Sequence, residues 1–183
     1  NAFMAKRGAA GIISRGRSLK KANAALFANI QKRYGVSAGP LLAIWGMETG
    51  FGGFTGSQPT VSAIATLAYD CRRSGFFTEQ LMAALKLVDR GVISSSTRGA
   101  MHGEVGQTQF LPKNIMLYGA DGDGNGSVNL NSKADALAST AKMMSGQGLK
   151  PGGPYRAGSF AYWNASSVYQ QALAIMATKI DAP

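Results

Sequence analysis

Apolar residues recur at helical spacing through most of this chain, and glycine closes run after run. Residues 18–34, "SLKKANAALFANIQKRY", put Leu19, Ala22, Leu26, Ile30 and Tyr34 on one face, with Ser18 as cap and Gly35 as stop. Ser37 and Pro40 suit the start of a second helix that carries "LLAIWGMETG" and ends near Gly50. Further helices are predicted over 60–72 (stripe Val61, Ile64, Ala65, Ala68) and 76–90 (Phe77, Leu81, Ala84, Leu85 and Val88 inward). Others are predicted after Pro112, from Lys133 to about Ser145, and from Ser167 onward. Only "SVNL" suggests a strand, and a brief one. The chain's 24 glycines concentrate between the helical runs. The pattern predicts an all-α, mainly helical fold with glycine-rich loops and at most a minor β element. Neither a repeat nor a linker stands out, so residues 1–183 read as a single domain with a basic helical N-terminal part, 1–35.

Length and composition permit a sizeable core, at 183 residues and 45% hydrophobic. No stretch approaches the run of about eighteen apolar residues that a membrane helix needs. The opening "NAFMAKRGAA" does not read as a signal peptide and suggests a mature or trimmed product. A net charge of +10 favours anionic partners: nucleic acid, acidic lipid or an acidic polymer. Its densest stretch is Lys6, Arg7, Arg15, Arg17, Lys20 and Lys21, which reads as a solvated helix face or as a phosphate contact. With no zinc finger, RNA-binding aromatic motif or heptad repeat, nucleic acid is not supported, and an anionic polysaccharide suits the charge as well. Cys71 is alone, so no internal disulfide forms; beside Arg72 and Arg73 it reads as an incidental thiol or, paired in space with His102, as a nucleophile.

One charge interrupts the apolar run "LLAIWGMETGFGGFTG": Glu48. On a helix it shares a face with Ile44 and Trp45, flanked by Met47 and Phe51. Burial there disfavours the charged form and suits a general acid, while Gly52 and Gly53 would admit a substrate close to the backbone. The alternative is a buried glutamate that bridges neighbouring elements. A glycosidase with two carboxylates needs a partner, and Asp70, Glu79, Asp89 and Glu104 are the candidates.

Three stretches resemble the lytic murein transglycosylases of the B type: "RYGVSAGPLLAIWGMETGFGGFTG", "SAIATLAYDCRRSGFF" and "GQTQFLPKNIMLYGADGDGNGSVNLNSKADALASTAKMM". The likeness runs from about residue 10 to 153. It implies a lysozyme-like helical catalytic domain that cleaves peptidoglycan between N-acetylmuramic acid and N-acetylglucosamine without water, leaving a 1,6-anhydromuramic end. The family's catalytic glutamate falls on Glu48, its cleft glutamine motif on Gln107 and Gln109, and its motif tyrosine on Tyr118. Phe51 and Phe54 are candidate apolar faces for sugar rings; Trp45 reads as core. One residue acting as acid and then base would need no second carboxylate and no cofactor. The resemblance further implies peptidoglycan strands as partner and the bacterial cell envelope, periplasmic, as location, and leaves open whether a lipid anchor precedes Asn1. A departure is "HGEVGQTQF", where Glu104 stands in place of a small residue and would alter a sugar subsite. Two rival readings are a hydrolase, with Glu48 and Glu104 or Asp70 positioning water, and a non-catalytic peptidoglycan-binding domain.

"DGDGNGSVNLNS" resembles a calcium loop: Asp121, Asp123, Asn125, Ser127 (through its carbonyl) and Asn129 at ligand positions, and Gly126 at the turn. The twelfth-position acid is missing; Ser132 stands there and Asp135 is a substitute. A weak Ca2+ site and a loop held only by Asx turns both fit.

Overall fold

A computed structural model describes residues 2–183. Among the described residues the helices are α1 (Ala2–Lys6), α2 (Ala9–Ala22), α3 (Ala24–Tyr34), α4 (Ala38–Thr49), α5 (Thr60–Tyr69), α6 (Ser74–Asp89), α7 (Pro112–Tyr118), α8 (Lys133–Gly146) and α9 (Ser167–Asp181). A single 3-10 turn covers Ala157–Phe160, and β1 (Gln58–Pro59) pairs antiparallel with β2 (Arg98–Gly99). The mainly helical expectation is met. No helix among the described residues is long and apolar enough to cross a membrane. The chain forms two compact units, 1–51 with 140–183 and 52–139.

In the first unit, α4 is apolar on every side, and such a helix must be enclosed. Every residue of α4 is buried except Glu48. α2 and α9 pack on it. Gly39 permits the closest approach: a Cβ there would lie 2.6 Å from Asp181 Cγ. Ser37 sits at the cap position, yet its hydroxyl does not cap α4. Asp181 does so instead, accepting the Gly39 N–H at 2.8 Å and the Ser37 hydroxyl at 2.5 Å. At the C-terminal end of α9, Arg17 donates to Lys179 O at 2.8 and 3.0 Å, and Lys20 to Ile180 O and Asp181 O at 3.2 Å. Part of the basic N-terminal stretch thus satisfies helix-terminal carbonyls rather than standing free in solvent.

In the second unit, α6 packs against α5 and α7. The buried Gln80 accepts the Lys113 N–H at the start of α7 at 3.0 Å.

Four local expectations are corrected. The helix expected over 18–34 is two helices, broken at Asn23, whose amide donates to Leu19 O at 2.9 Å and closes α2. Ser18 therefore lies inside α2 and donates to Ser14 O. Leu85 is 46% exposed; the buried stripe of α6 is Phe77, Gln80, Ala83, Ala84 and Leu87, one step round the helix. The helix beginning at Thr60 stops at Tyr69, because the Asp70 carboxylate takes the Arg72 N–H and starts a turn. "SVNL" forms no strand, since Asn125 and Asn129 hydrogen-bond neighbouring backbone amides.

Candidate active site

Glu48 is the partly exposed residue at the end of the buried α4. Its Oε1 accepts two hydrogen bonds, from Trp163 Nε1 at 3.0 Å and from the Tyr169 hydroxyl. Among the described residues Oε2 has no hydrogen-bond partner. Local structure sets both donors. Asn164 Oδ1 accepts the Ser166 N–H at 2.8 Å, and Ser166 caps α9 by accepting the Tyr169 N–H at 3.4 Å. Trp163 precedes that cap and Tyr169 sits in the first turn behind it. Burial, and then the facing Glu48 charge, push the Tyr169 phenol far above its ordinary value. Its proton is therefore held, and Tyr169 stays a donor to the carboxylate. Indole N–H is a donor only, so Oε1 is fixed as acceptor and Oε2 is the oxygen left to exchange a proton with a ligand.

Asp181 is the only other acid of this unit, and it caps the opposite end of α4. Nine residues of helical rise put that cap roughly 14 Å from Glu48. Asp70, Glu79, Asp89 and Glu104 all belong to the second unit. Bidentate Arg72 holds Asp70, whose carboxyl drops to about 2 through that side-chain bond first and the Arg72 N–H second. Glu79 pairs with Lys113 at 2.5 Å, and Asp89 is exposed. Glu104 is turned onto the 102–104 turn, accepting the His102 N–H at 3.1 Å with His102 Nδ1 at 3.5 Å. Cys71 is exposed.

Phe51 belongs with the first unit. It adopts φ 63°, directly after the left-handed C-cap Gly50, and meets Trp45 edge-on at 5.4 Å beneath the Arg15 guanidinium at 5.2 Å. Trp45 is buried, as expected of a core residue, whereas Phe54 is 71% exposed.

The glutamine motif is a tight loop in the second unit. Val105 and Phe110 exchange two backbone hydrogen bonds, at 2.8 and 2.9 Å, and enclose residues 106–109. Gln109 is left-handed at φ 60°, a conformation that costs a residue with a side chain about 1 kcal/mol or more. Its amide donates to Gly106 O at 2.9 Å and to Thr55 O at 3.1 Å, so it ties the motif to the glycine-rich 52–56 loop. Gln107 donates from Nε2 to Asn131 O at 2.9 Å. Its amide lies on Gly52: a Cβ there would be 2.9 Å from Gln107 Cδ. Both glutamines and the 52–56 loop are thus brought together, and Tyr118 ends α7 partly buried.

In the glycine–aspartate loop, Asp121 accepts the N–H groups of Gly124, Asn125 and Gly126, and these bonds, Gly126 foremost, hold its carboxyl below the usual range. The buried Asp135 accepts from Gly122 and Asn129, each at 2.8 Å. Carboxylate oxygens of Asp121, Asp123 and Asp135 lie within 4.8 Å of one another. Asn125 Oδ1 instead takes the N–H and hydroxyl of Ser127, and Asn129 Oδ1 takes the Asn131 N–H. Three hard oxygen donors at that separation fit a divalent cation such as Ca2+.

Sequence reasoning missed Trp163 and Tyr169. Their bonds to Glu48 span 115 and 121 residues, and the only local sign was the pairing of "AYWN" with a helix start.

Three comparisons bear on this geometry. Residues 1–159 match the model of the transglycosylase SLT domain family. Membrane-bound lytic murein transglycosylase B of Escherichia coli (strain K12) is 31% identical over 121 residues, which is 65% of this chain and 34% of that protein. SltB3 from Pseudomonas aeruginosa in complex with NAG-NAM-pentapeptide superposes with a TM-score of 0.89 at 26% identity, over 96% of this chain and 66% of that one. SltB3 in complex with NAG-anhNAM-pentapeptide superposes at 0.78 and 35% identity, over 85% and 42%. This chain therefore spans about a third of the E. coli protein and just under two thirds of the SltB3 chain. With the family match covering most of its length and the fold shared with SltB3, the chain belongs to the transglycosylase SLT domain family.

Proposed function

We propose that the protein is a lytic transglycosylase that cleaves the β-1,4 bond between N-acetylmuramic acid and N-acetylglucosamine in peptidoglycan without water. The observation that carries this reading is the setting of Glu48: one oxygen is held by Tyr169 and Trp163, and the other has no hydrogen-bond partner among the described residues. Two-carboxylate hydrolysis needs a second acid across the bond; a nucleophile within the substrate does not. The SltB3 complex with a NAG-anhNAM peptide, the cyclised form, supports this choice.

Glu48 Oε2 gives its proton to the glycosidic oxygen as the bond from the muramic C1 breaks. Tyr169 and Trp163 stabilise the carboxylate that results, because hydrogen bonds to a charged acceptor strengthen as the charge develops. The substrate's acetamido group shields the cationic C1. Glu48 then takes the proton from the muramic O6, which attacks C1 and closes the 1,6-anhydro ring. No water is consumed and Glu48 is returned protonated. Gln107, Gln109, Tyr118, Phe51, Phe54 and Glu104 are the proposed sugar-side residues. In this role Gln109 acts through the loop it ties down, and the exposed Phe54 offers an open ring face. Replacing Glu48 with Gln tests the assignment: turnover of isolated peptidoglycan is abolished while strand binding persists. Loss of binding together with turnover, or turnover that survives, contradicts it.

The proposed location is the bacterial envelope, on the periplasmic side, where this polymer lies. Ca2+ is proposed as an ordering ion rather than a reactant, held by Asp121, Asp123 and Asp135. Added Ca2+ should raise the melting temperature in the parent and not in Asp135→Asn, which loses one negative charge facing the site. An equal rise in both proteins contradicts the site.

A further inference from the structure

The protein's positive charge is not shared between its units. Residues 1–51 and 140–183 carry twelve Lys and Arg against Glu48 and Asp181, whereas residues 52–139 carry seven against seven. The whole net charge of +10 therefore sits in the first unit. That unit also holds a groove of about 520 Å3 along α9, within the range of ligand sites. Its α9 side is the stripe from Ser167 through Gln171 and Ile175 to Lys179, separate from the buried stripe that carries Tyr169. Twelve residues of rise make the stripe roughly 18 Å long, room for an oligosaccharide rather than a single ring.

The facing wall is Tyr155 and Arg156. Ser37 and Asp181 hold the Tyr155 hydroxyl inward, at 2.5 and 3.3 Å, and Phe160 lies against the ring at 6.1 Å. Tyr155 therefore offers the groove a fixed aromatic surface rather than a polar tip. Arg156, Gln171 and Lys179 are exposed, and among the described residues no side-chain hydrogen bond or ion pair engages the Gln171 amide or the Lys179 ammonium. Among the described residues no acidic side chain lines the groove. A rigid ring, an uncommitted amide and two uncompensated cations match a chain that is apolar on its ring faces, hydroxylated at its edges and anionic in its substituents.

We infer that this groove is an accessory binding site for an acidic glycan, separate from the reaction at Glu48. It rests on the proposed reaction only for the choice of glycan. A lipid surface would call for a protruding apolar face, and duplex nucleic acid for a row of phosphate contacts; a groove with a ring wall favours a glycan strand.

The test uses the full chain in the Glu48→Gln background, so that binding is read without turnover. The probes are soluble peptidoglycan strands with free stem-peptide carboxylates, and the same strands after amidation of those carboxylates. Arg156→Glu with Lys179→Glu should weaken binding to the free-carboxylate strands about tenfold, and Gln171→Ala about threefold. Amidated strands should bind more weakly and be nearly indifferent to the charge reversal. With Glu48 restored, the charge-reversed protein should cleave short uncharged fragments at the parent rate, which separates failure of the groove from failure of the proposed reaction. Unchanged strand binding in a charge-reversed protein with the parent melting temperature overturns the inference. So does equally tight, equally sensitive binding to phosphatidylglycerol vesicles or duplex DNA, which would make the groove a general anion surface.

Discussion

Removing one hydroxyl tests how Glu48 is held. In Tyr169→Phe the ring keeps its place at the start of α9, near Phe3 at 6.4 Å, while Glu48 Oε1 loses one of its two donors. A hydrogen bond to a charged acceptor contributes about 1.5–3 kcal/mol, and the bond to Trp163 at 3.0 Å remains. The donor matters most once Glu48 has given up its proton, so the loss falls on the transition state rather than on substrate binding. About 2 kcal/mol there is about a 30-fold fall in kcat. KM should stay within about twofold, since nothing that touches the sugar directly is removed. The assay is release of anhydro-muropeptides from isolated peptidoglycan, read by mass spectrometry over a range of substrate concentrations. Trp163→Phe removes the other donor and should act alike. Both bonds end on one oxygen, so the double variant should depart from the product of the single effects. A Tyr169→Phe protein within about threefold of the parent in kcat would show that this hydroxyl does not support Glu48 in the transition state. So would an effect confined to KM.

Other consequences follow from the same contacts. Asp181→Ala strips α4 of its cap, leaves the Gly39 N–H unpaired and removes the carboxylate that the Ser37 hydroxyl donates to; at about 2 kcal/mol, the melting temperature should fall by about 4–8 °C, and a shift under 1 °C would contradict the capping role. Burial holds the phenol protons of Tyr162 and Tyr169 above the ordinary range, so the folded pKa values exceed the unfolded ones. Their contribution to stability is complete below about pH 10 and shrinks as pH rises beyond it, while the unfolded chain releases those protons first. Denaturant midpoints should fall between pH 9.5 and about 11.5, by more in the parent than in Tyr162→Phe; an equal fall in both would remove Tyr162 from the explanation.

Helices were legible where local periodicity and glycine stops agree. The stop of α3 at Gly35 and the closure of α4 at Gly50 are examples. Leu85 shows the limit: in a helix with apolar residues on several faces, periodicity admits neighbouring stripes, and packing against α5 and α7 decides between them. Glu48 stood out because a lone charge inside an apolar helix needs a reason. Its partners did not stand out, since Trp163 and Tyr169 reach it across more than a hundred residues. The α4 cap was hidden in the same way. Ser37 had the right type and position, but an acid 142 residues past Gly39 took the role. Gln109 was readable as a motif residue, while its left-handed backbone was not, because nothing in "GQTQF" marks that position for φ 60°.

Digestion of peptidoglycan in water enriched in oxygen-18 distinguishes an internal nucleophile from water. If O6 of the muramic residue is the nucleophile, the new ends are 1,6-anhydromuramic acid and carry no label, and Glu48→Gln yields none of them. Labelled reducing ends would show that water attacks C1, and would contradict the account of one carboxylate serving an internal nucleophile.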